Sequence, residues 1–253
     1  MISDGRSGSC SAAHALVIMA DTTAASITAH VRALAKPQTA QRAAEALRIL
    51  SKEEADRGSV VDAGAIPALI SVLRDGSDGA KSVAAAALWN IAKNDGYKVV
   101  IAEAGAISPL ISLVRAGSAL EQVNAAGALR TLSLNNDNAL AVASAGGIAP
   151  IIALVKNGND DGKRTAASGL WNLSRLDANK VAIREEGGIA ALVDLLRCGS
   201  ERSKHQAAGA LSNLSSKEEC QVAIVAAGAI LPLIALLRDG INEAKVAVTL
   251  LNL

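Results

Sequence analysis

Covalent or metal chemistry in this chain would have to rest on very few residues. It has three histidines and three cysteines. A nucleophilic site needs a base within hydrogen-bond reach of the nucleophile, held by a third group. His14, His30 and His205 fall in unrelated stretches, no Ser, His and Asp pattern recurs, and no Gly-rich loop is placed to cradle a phosphate. Cys198, His205 and Cys220 span different predicted helices and match no ligand spacing for zinc. We therefore assign no catalytic residue, no metal ligand and no cofactor, and read the chain as something other than an enzyme. The tripeptide "NLS" at Asn172 and Asn213 fits the glycosylation acceptor rule, but both copies fall inside a predicted helix.

A different chemistry is spelled by "ALWNIAKN" and "GLWNLSRL", which place Trp89 beside Asn90 and Trp171 beside Asn172. The composition holds no Phe, one Tyr and two Trp, so a paired Trp-Asn is conspicuous. An amide both donates and accepts, so it can grip a peptide unit whatever side chain that unit carries. What must position these residues is a repeat. Gly64, Gly105, Gly146, Gly187 and Gly228 each lie 41 residues after the last, inside "AGAIPALISVLRDG" and its four relatives. Two such periods separate the Trp-Asn pairs. Fixed periods of this length mark stacked supersecondary units, each too small to bury its apolar face alone.

Three helical segments are legible per unit. The second carries Ile66, Leu69, Ile70 and Leu73 at i, i+3, i+4, i+7 spacing. Proline sits near its start at Pro67, Pro109, Pro150 and Pro232, where its missing amide hydrogen is harmless. Gly76, Gly117, Gly158, Gly199 and Gly240 follow its end, and a left-handed stop is expected there. Arg74, Arg115, Lys156, Arg197 and Arg238 stand two residues earlier, facing the negative end of the helix dipole, which is sufficient structural reason for that column. The third segment has a mostly alanine core face, as at Ala84 and Ala87 followed by Leu88 and Ile91, and this permits close helix approach. The first, such as "YKVVIAEAG", is shorter.

The pattern "AGAIPALI…LLR.G…AAGALWNLS" resembles the armadillo repeat of beta-catenin-like proteins, plant U-box ubiquitin ligases and vacuolar armadillo scaffolds. The resemblance covers about residues 25 to 253. It implies an all-α, right-handed superhelical solenoid of three helices per 41-residue repeat. Residues 23–253 would form it as an N-terminal partial repeat and about five repeats, the last truncated, with 1–22 a disordered tail. In the partial repeat Ile27, Val31 and Leu34 match Ile66, Ile70 and Leu73, and His30 is an end-cap residue. At the other end "VAVTLLNL" leaves Leu250, Leu251 and Leu253 without a following repeat, so further repeats or self-association are expected to cover them.

The resemblance also implies where a partner sits. Third helices of the family line a concave groove, and an asparagine near each helix end bonds the backbone of an extended partner. By position this ladder is Asn90, Asn172 and Asn213, with Thr131 in one unit and Ile49 in the cap; Asn252 joins if the last loop is two residues shorter. Tying neighbouring repeats together is the alternative role. Trp89 and Trp171, with Arg130 and Ser212 in the same column, either wedge into the core or edge the groove. Nuclear-import adaptors carry their Trp four residues before the asparagine, and here those positions are Ala86, Gly127, Ser168 and Gly209. Lys81, Lys163, Arg164, Lys204 and His205 lie about two turns before the asparagine column, with Arg130 and Arg175 near its end. If they face the groove, it is basic and favours an acidic segment; the alternative is a solvated helix face.

Composition bounds the rest. The 25 basic and 24 acidic residues nearly cancel, which points away from nucleic acid, and no apolar run is long enough for an integral membrane contact. Few, unpatterned cysteines and a poor signal peptide fit a reducing compartment. The expectation is a protein-interaction scaffold for an extended, acidic peptide, in the cytoplasm, and also in the nucleus or at a membrane through a partner. The substrate-recruiting region of a larger U-box ubiquitin ligase is the alternative, and a nuclear-import adaptor the third reading.

Overall fold

A computed structural model describes residues 24–253. The expected tail, residues 1–22, lies outside the described residues, as do His14 and Cys10. Among the described residues there are seventeen helices and no strands. They run as a helix pair, Ala24–Ala33 and Pro37–Leu50, and then five triplets. First helices are Glu54–Asp62, Asp95–Glu103, Asn136–Ser144, Asp177–Glu185 and Glu218–Ala226. Second helices are Ala65–Asp75, Ile107–Ala116, Ile148–Asn157, Gly188–Cys198 and Ile230–Arg238. Third helices are Asp78–Ile91, Ala119–Leu132, Asp160–Leu173, Glu201–Leu214 and Glu243–Asn252.

Third helices stack directly on one another from the cap onward. Their contact faces are small. Ala84, Ala87, Ala125, Ala128, Ala166 and Ala207 are buried there, with Leu88, Leu129, Leu170 and Leu211 filling the seam behind them. Burying a leucine side chain contributes about 1.5–3 kcal/mol, so the regular leucine per repeat is a large part of what holds the stack. Second helices supply the opposite wall through Leu69, Leu110, Ile151, Leu192 and Leu233, all fully buried. The result is one continuous core rather than separate cores per repeat.

The sharp corner between first and second helices needs glycine. In three repeats these helices meet at 84 to 85°. Gly64, Gly105, Gly146, Gly187 and Gly228 make the turn with φ between 72° and 85°, the left-handed region where a side chain is strained. At the far end of the second helix the structure corrects the expected left-handed stop. Gly76, Gly117, Gly158 and Gly199 have φ from −69° to −79° and extended ψ. Glycine is needed there for space: a Cβ would sit 2.6 Å from the carbonyl oxygen four residues back, at Val72, Leu113, Leu154 and Leu195. Only Gly240 of this column turns left-handed, where the last loop departs from the repeat.

At Arg197 the cation column ties neighbouring repeats together. Arg197 Nη2 donates to the carbonyls of Ala227 and Gly228 at 2.8 and 3.2 Å, reaching the C-terminal end of the next repeat's first helix. Further ties run through Asn138, whose Nδ2 donates to Lys98 O one repeat earlier, and Asn179, which does the same to Ala139 O. At the last repeat Ile230 and Leu237 are about 40% exposed, although their counterparts Ile189 and Leu196 are buried. Leu251 is 85% exposed. No single helix among the described residues is long and apolar enough to cross a membrane.

Candidate functional site

The asparagines lie where position predicted, near the ends of the third helices, and their amide nitrogens are used within the chain. Asn90 Nδ2 donates to Arg48 O at 3.1 Å, Asn172 Nδ2 to Arg130 O at 2.8 Å, and Asn213 Nδ2 to Trp171 O at 3.1 Å. Each acceptor belongs to the previous repeat's third helix, among the last carbonyls that a helix leaves unpaired. Asn252 enters the same series, donating to Ser215 Oγ as Asn213 does to Ser174 Oγ. Thr131 does not bridge: its hydroxyl donates to Gly127 O in its own helix. The oxygens differ. Asn90 Oδ1 accepts from Lys93 Nζ at 2.9 Å, while Asn172 and Asn213 have no partner for Oδ1 among the described residues.

Both tryptophans are half-buried, each with one face on the next repeat. Trp89 lies against Gly127 so closely that a Cβ there would be 2.7 Å from Cε3 of the indole. Trp171 lies against Gly209, where a Cβ would be 2.5 Å from Cδ2 and Cε2 of the indole. Gly127 and Gly209 are two of the four positions where nuclear-import adaptors carry their Trp. The preceding repeat supplies the ring instead, and glycine is the residue that lets it lie flat.

Between the two tryptophans is a pocket of ≈ 400 Å³. Lys93, Lys98, Arg130, Asn172 and Gln206 line it together with the indoles, and no carboxylate does. The Arg130 guanidinium lies over the Trp89 ring, 5.7 Å from its centroid, within cation–π range. Burial, and then the neighbouring Arg164, lower the pKa of Arg130. Burial also lowers that of Lys93, followed by repulsion from Arg57, Lys52 and Arg130. These groups form a cluster of like charge without compensating acids in its walls. Lys98 is the exception: it is buried and paired with Asp95.

The basic residues singled out in the sequence divide into two sets. Arg164 and His205 border a second pocket on the same stack, and the His205 ring meets Trp171 edge-on with centroids 5.7 Å apart. Lys81 and Lys204 instead line clefts against second helices, beside Arg74 and Arg197, and neither cleft contains a ladder asparagine. Lys163 shares their column. One helical residue, about 100° of rotation, separates the two columns. Lys93 and Lys98 were missed. Lys93 follows Asn90 by three residues and so shares its face, a signal the sequence did contain; Lys98 comes from a first helix, where nothing in the pattern points to the groove.

Three segments, residues 55–93, 135–175 and 177–216, match the armadillo/beta-catenin-like repeat model. No curated protein matches the chain. Among solved structures, an engineered protein is 28% identical, with a TM-score of 0.84 over 90% of this chain and 96% of that one. A computationally designed armadillo repeat protein for modular peptide recognition is 25% identical at TM-score 0.83, covering 89% and 99% of the two chains. A designed armadillo repeat protein in complex with the peptide (KR)4 is 25% identical at TM-score 0.81, covering 89% and 98%. With its helix triplets, 41-residue period and stacked third helices, the chain is an armadillo-repeat solenoid.

Proposed function

We propose that this solenoid is a non-catalytic scaffold that holds an extended, acidic peptide segment along the third-helix groove. The observation that carries the reading is the pocket between Trp89 and Trp171, which presents Lys93 and Arg130 with no acidic side chain in its lining. Asn172 and Asn213 each have an Oδ1 without a partner among the described residues, suited to accept a backbone N–H of the segment, while Nδ2 keeps the repeats in register. The same amide then serves both roles that the sequence left open. A structurally similar designed solenoid is complexed with (KR)4; the cations lining this pocket repel such a peptide and attract its opposite. The exposed Ile230, Leu237 and Leu251 offer a separate contact surface for further repeats or a second copy. Cytoplasmic or nuclear residence is part of the same proposal and rests on the few, unpatterned cysteines.

Calorimetric titration of a glutamate-rich, unstructured peptide tests it. Binding to the wild-type chain should be saturable and should be lost in the Lys93→Glu, Arg164→Glu double variant. Equal binding by the variant would contradict the assignment of the groove.

A further inference from the structure

The column that contains the tryptophans reads Arg48, Trp89, Arg130, Trp171, Ser212 from the cap to the fourth repeat, so a cation and an indole alternate. Its two arginines are not equivalent. Arg48 is neutralised on its own helix by a two-pronged pair with Glu45, Nε to Oε2 at 2.7 Å and Nη2 to Oε1 at 2.6 Å. Three other groove cations have partners as well. Arg164 meets Asp161, Lys98 meets Asp95, and Lys93 donates to the Asn90 amide. Arg130 has neither a hydrogen bond nor an ion pair among the described residues, and its Nε is enclosed without an acceptor. A partly enclosed cation without a counter-charge is costly to keep, and a bound anion offsets that cost.

We propose that Arg130 is a single anchor that sets the register of the bound segment: it receives one carboxylate or phosphate side chain, with apolar side chains two residues to either side resting on Trp89 and Trp171. This rests on the groove reading above. The cation–π contact keeps the guanidinium beside Trp89, and its planar fork can form two parallel bonds to a carboxylate or phosphate. The half-buried indoles border the same pocket, so apolar side chains can cover them. Packed helices lie roughly 8–10 Å apart, while an extended strand climbs about 3.3 Å per residue and returns to one face every second residue. Two residues of strand advance about 6.6 Å, and the remaining distance of roughly 1.4–3.4 Å to the next repeat is within the reach of a leucine or glutamate side chain.

The test uses the chain's two tryptophans, both at the pocket, as the reporter. Blocked nine-residue peptides would carry leucine at positions 3 and 7 and glutamate, phosphoserine, glutamine or lysine at position 5, in a glycine-serine background with one further glutamate at each end. The glutamate or phosphoserine peptide should change the indole fluorescence saturably and bind about tenfold or more tighter than the glutamine peptide, as expected for a charged hydrogen bond. That preference should vanish in Arg130→Gln and persist in Lys81→Gln, whose side chain lies in a different cleft. A tighter phosphoserine peptide identifies phosphate as the anion, and a tighter glutamate peptide identifies carboxylate; either supports the anchor. Equal binding of the glutamine and glutamate peptides, or a preference that survives Arg130→Gln, overturns the anchor and leaves the acidic groove standing. Absence of binding by every peptide, including a glutamate-rich one, overturns both.

Discussion

Trp89 lies flat across Gly127, thirty-eight residues ahead in the next repeat, and Trp171 repeats the relationship with Gly209. Alanine at position 127 should therefore push the indole away. Alanine gains about 1 kcal/mol in helix propensity over glycine, but forcing a methyl into a filled contact costs about 1–3 kcal/mol. The expected outcome for Gly127→Ala is a modest loss of stability with a red-shifted indole emission, measured by denaturation and fluorescence.

Gly169 is the counter-example, because the nearest atom to an added Cβ is Ile151 Cγ2 at 3.8 Å. Gly169→Ala should stabilise the chain by about 0.5–1 kcal/mol, since only the helix preference changes. Chemical denaturation of both variants side by side separates contact from propensity.

Asn138 and Asn172 both bridge repeats, yet only Asn172 lines the pocket. Asn138 is buried and serves two carbonyls, Lys98 O and Leu132 O, so Asn138→Ala should cost about 1–3 kcal/mol of stability. Asn172→Ala loses one bond at a half-exposed position and should cost about 1 kcal/mol or less, while weakening peptide binding. Thermal melts and calorimetry on the two variants should show opposite orders of effect.

How much of this was legible beforehand depends on whether it follows the period. The helix triplets and the corner glycines repeat every 41 residues, so five copies reinforced those readings, and the asparagine column keeps the period at Asn90, Asn172 and Asn213. What failed was rotation and reach. Lys81 and Arg164 occupy adjacent helical columns, and their different faces could not be separated while the core face was defined by alanines on several sides. Trp89 reaches into another repeat, so its seat on Gly127 depends on a contact that spacing along one helix does not express. The stop glycines were placed correctly but for a different reason, steric contact with Val72 O and its equivalents instead of a positive φ.

Acid should release one inter-repeat clasp. Asp177 accepts from Lys180 Nζ at 2.8 Å and pairs with Lys217 Nζ at 2.7 Å, and these two bonds lower its pKa from the ordinary 3.8 to about 2. A carboxylate depressed in the folded state contributes stability that is present above its unfolded pKa and is lost as pH falls through the folded one. The stability difference between wild type and Asp177→Asn should therefore be constant above about pH 5 and shrink between about pH 4 and 2. A denaturation series across that range measures it.

Thiol labelling should distinguish Cys198 from Cys220. Cys198 is exposed, whereas Cys220 is buried and burial pushes its thiol pKa up. Mass mapping after brief treatment of the native chain with a thiol reagent should find Cys198 modified and Cys220 protected, with Cys220 labelled once denaturant is added.

Competition between a glutamate-rich peptide and a lysine-arginine peptide of equal length, followed through the two indoles, bears most directly on the groove assignment. The account predicts that the acidic peptide changes the emission saturably, with an affinity that falls as salt is raised, while the basic peptide does not compete. Saturable binding of the basic peptide, with the acidic one inert, would contradict it.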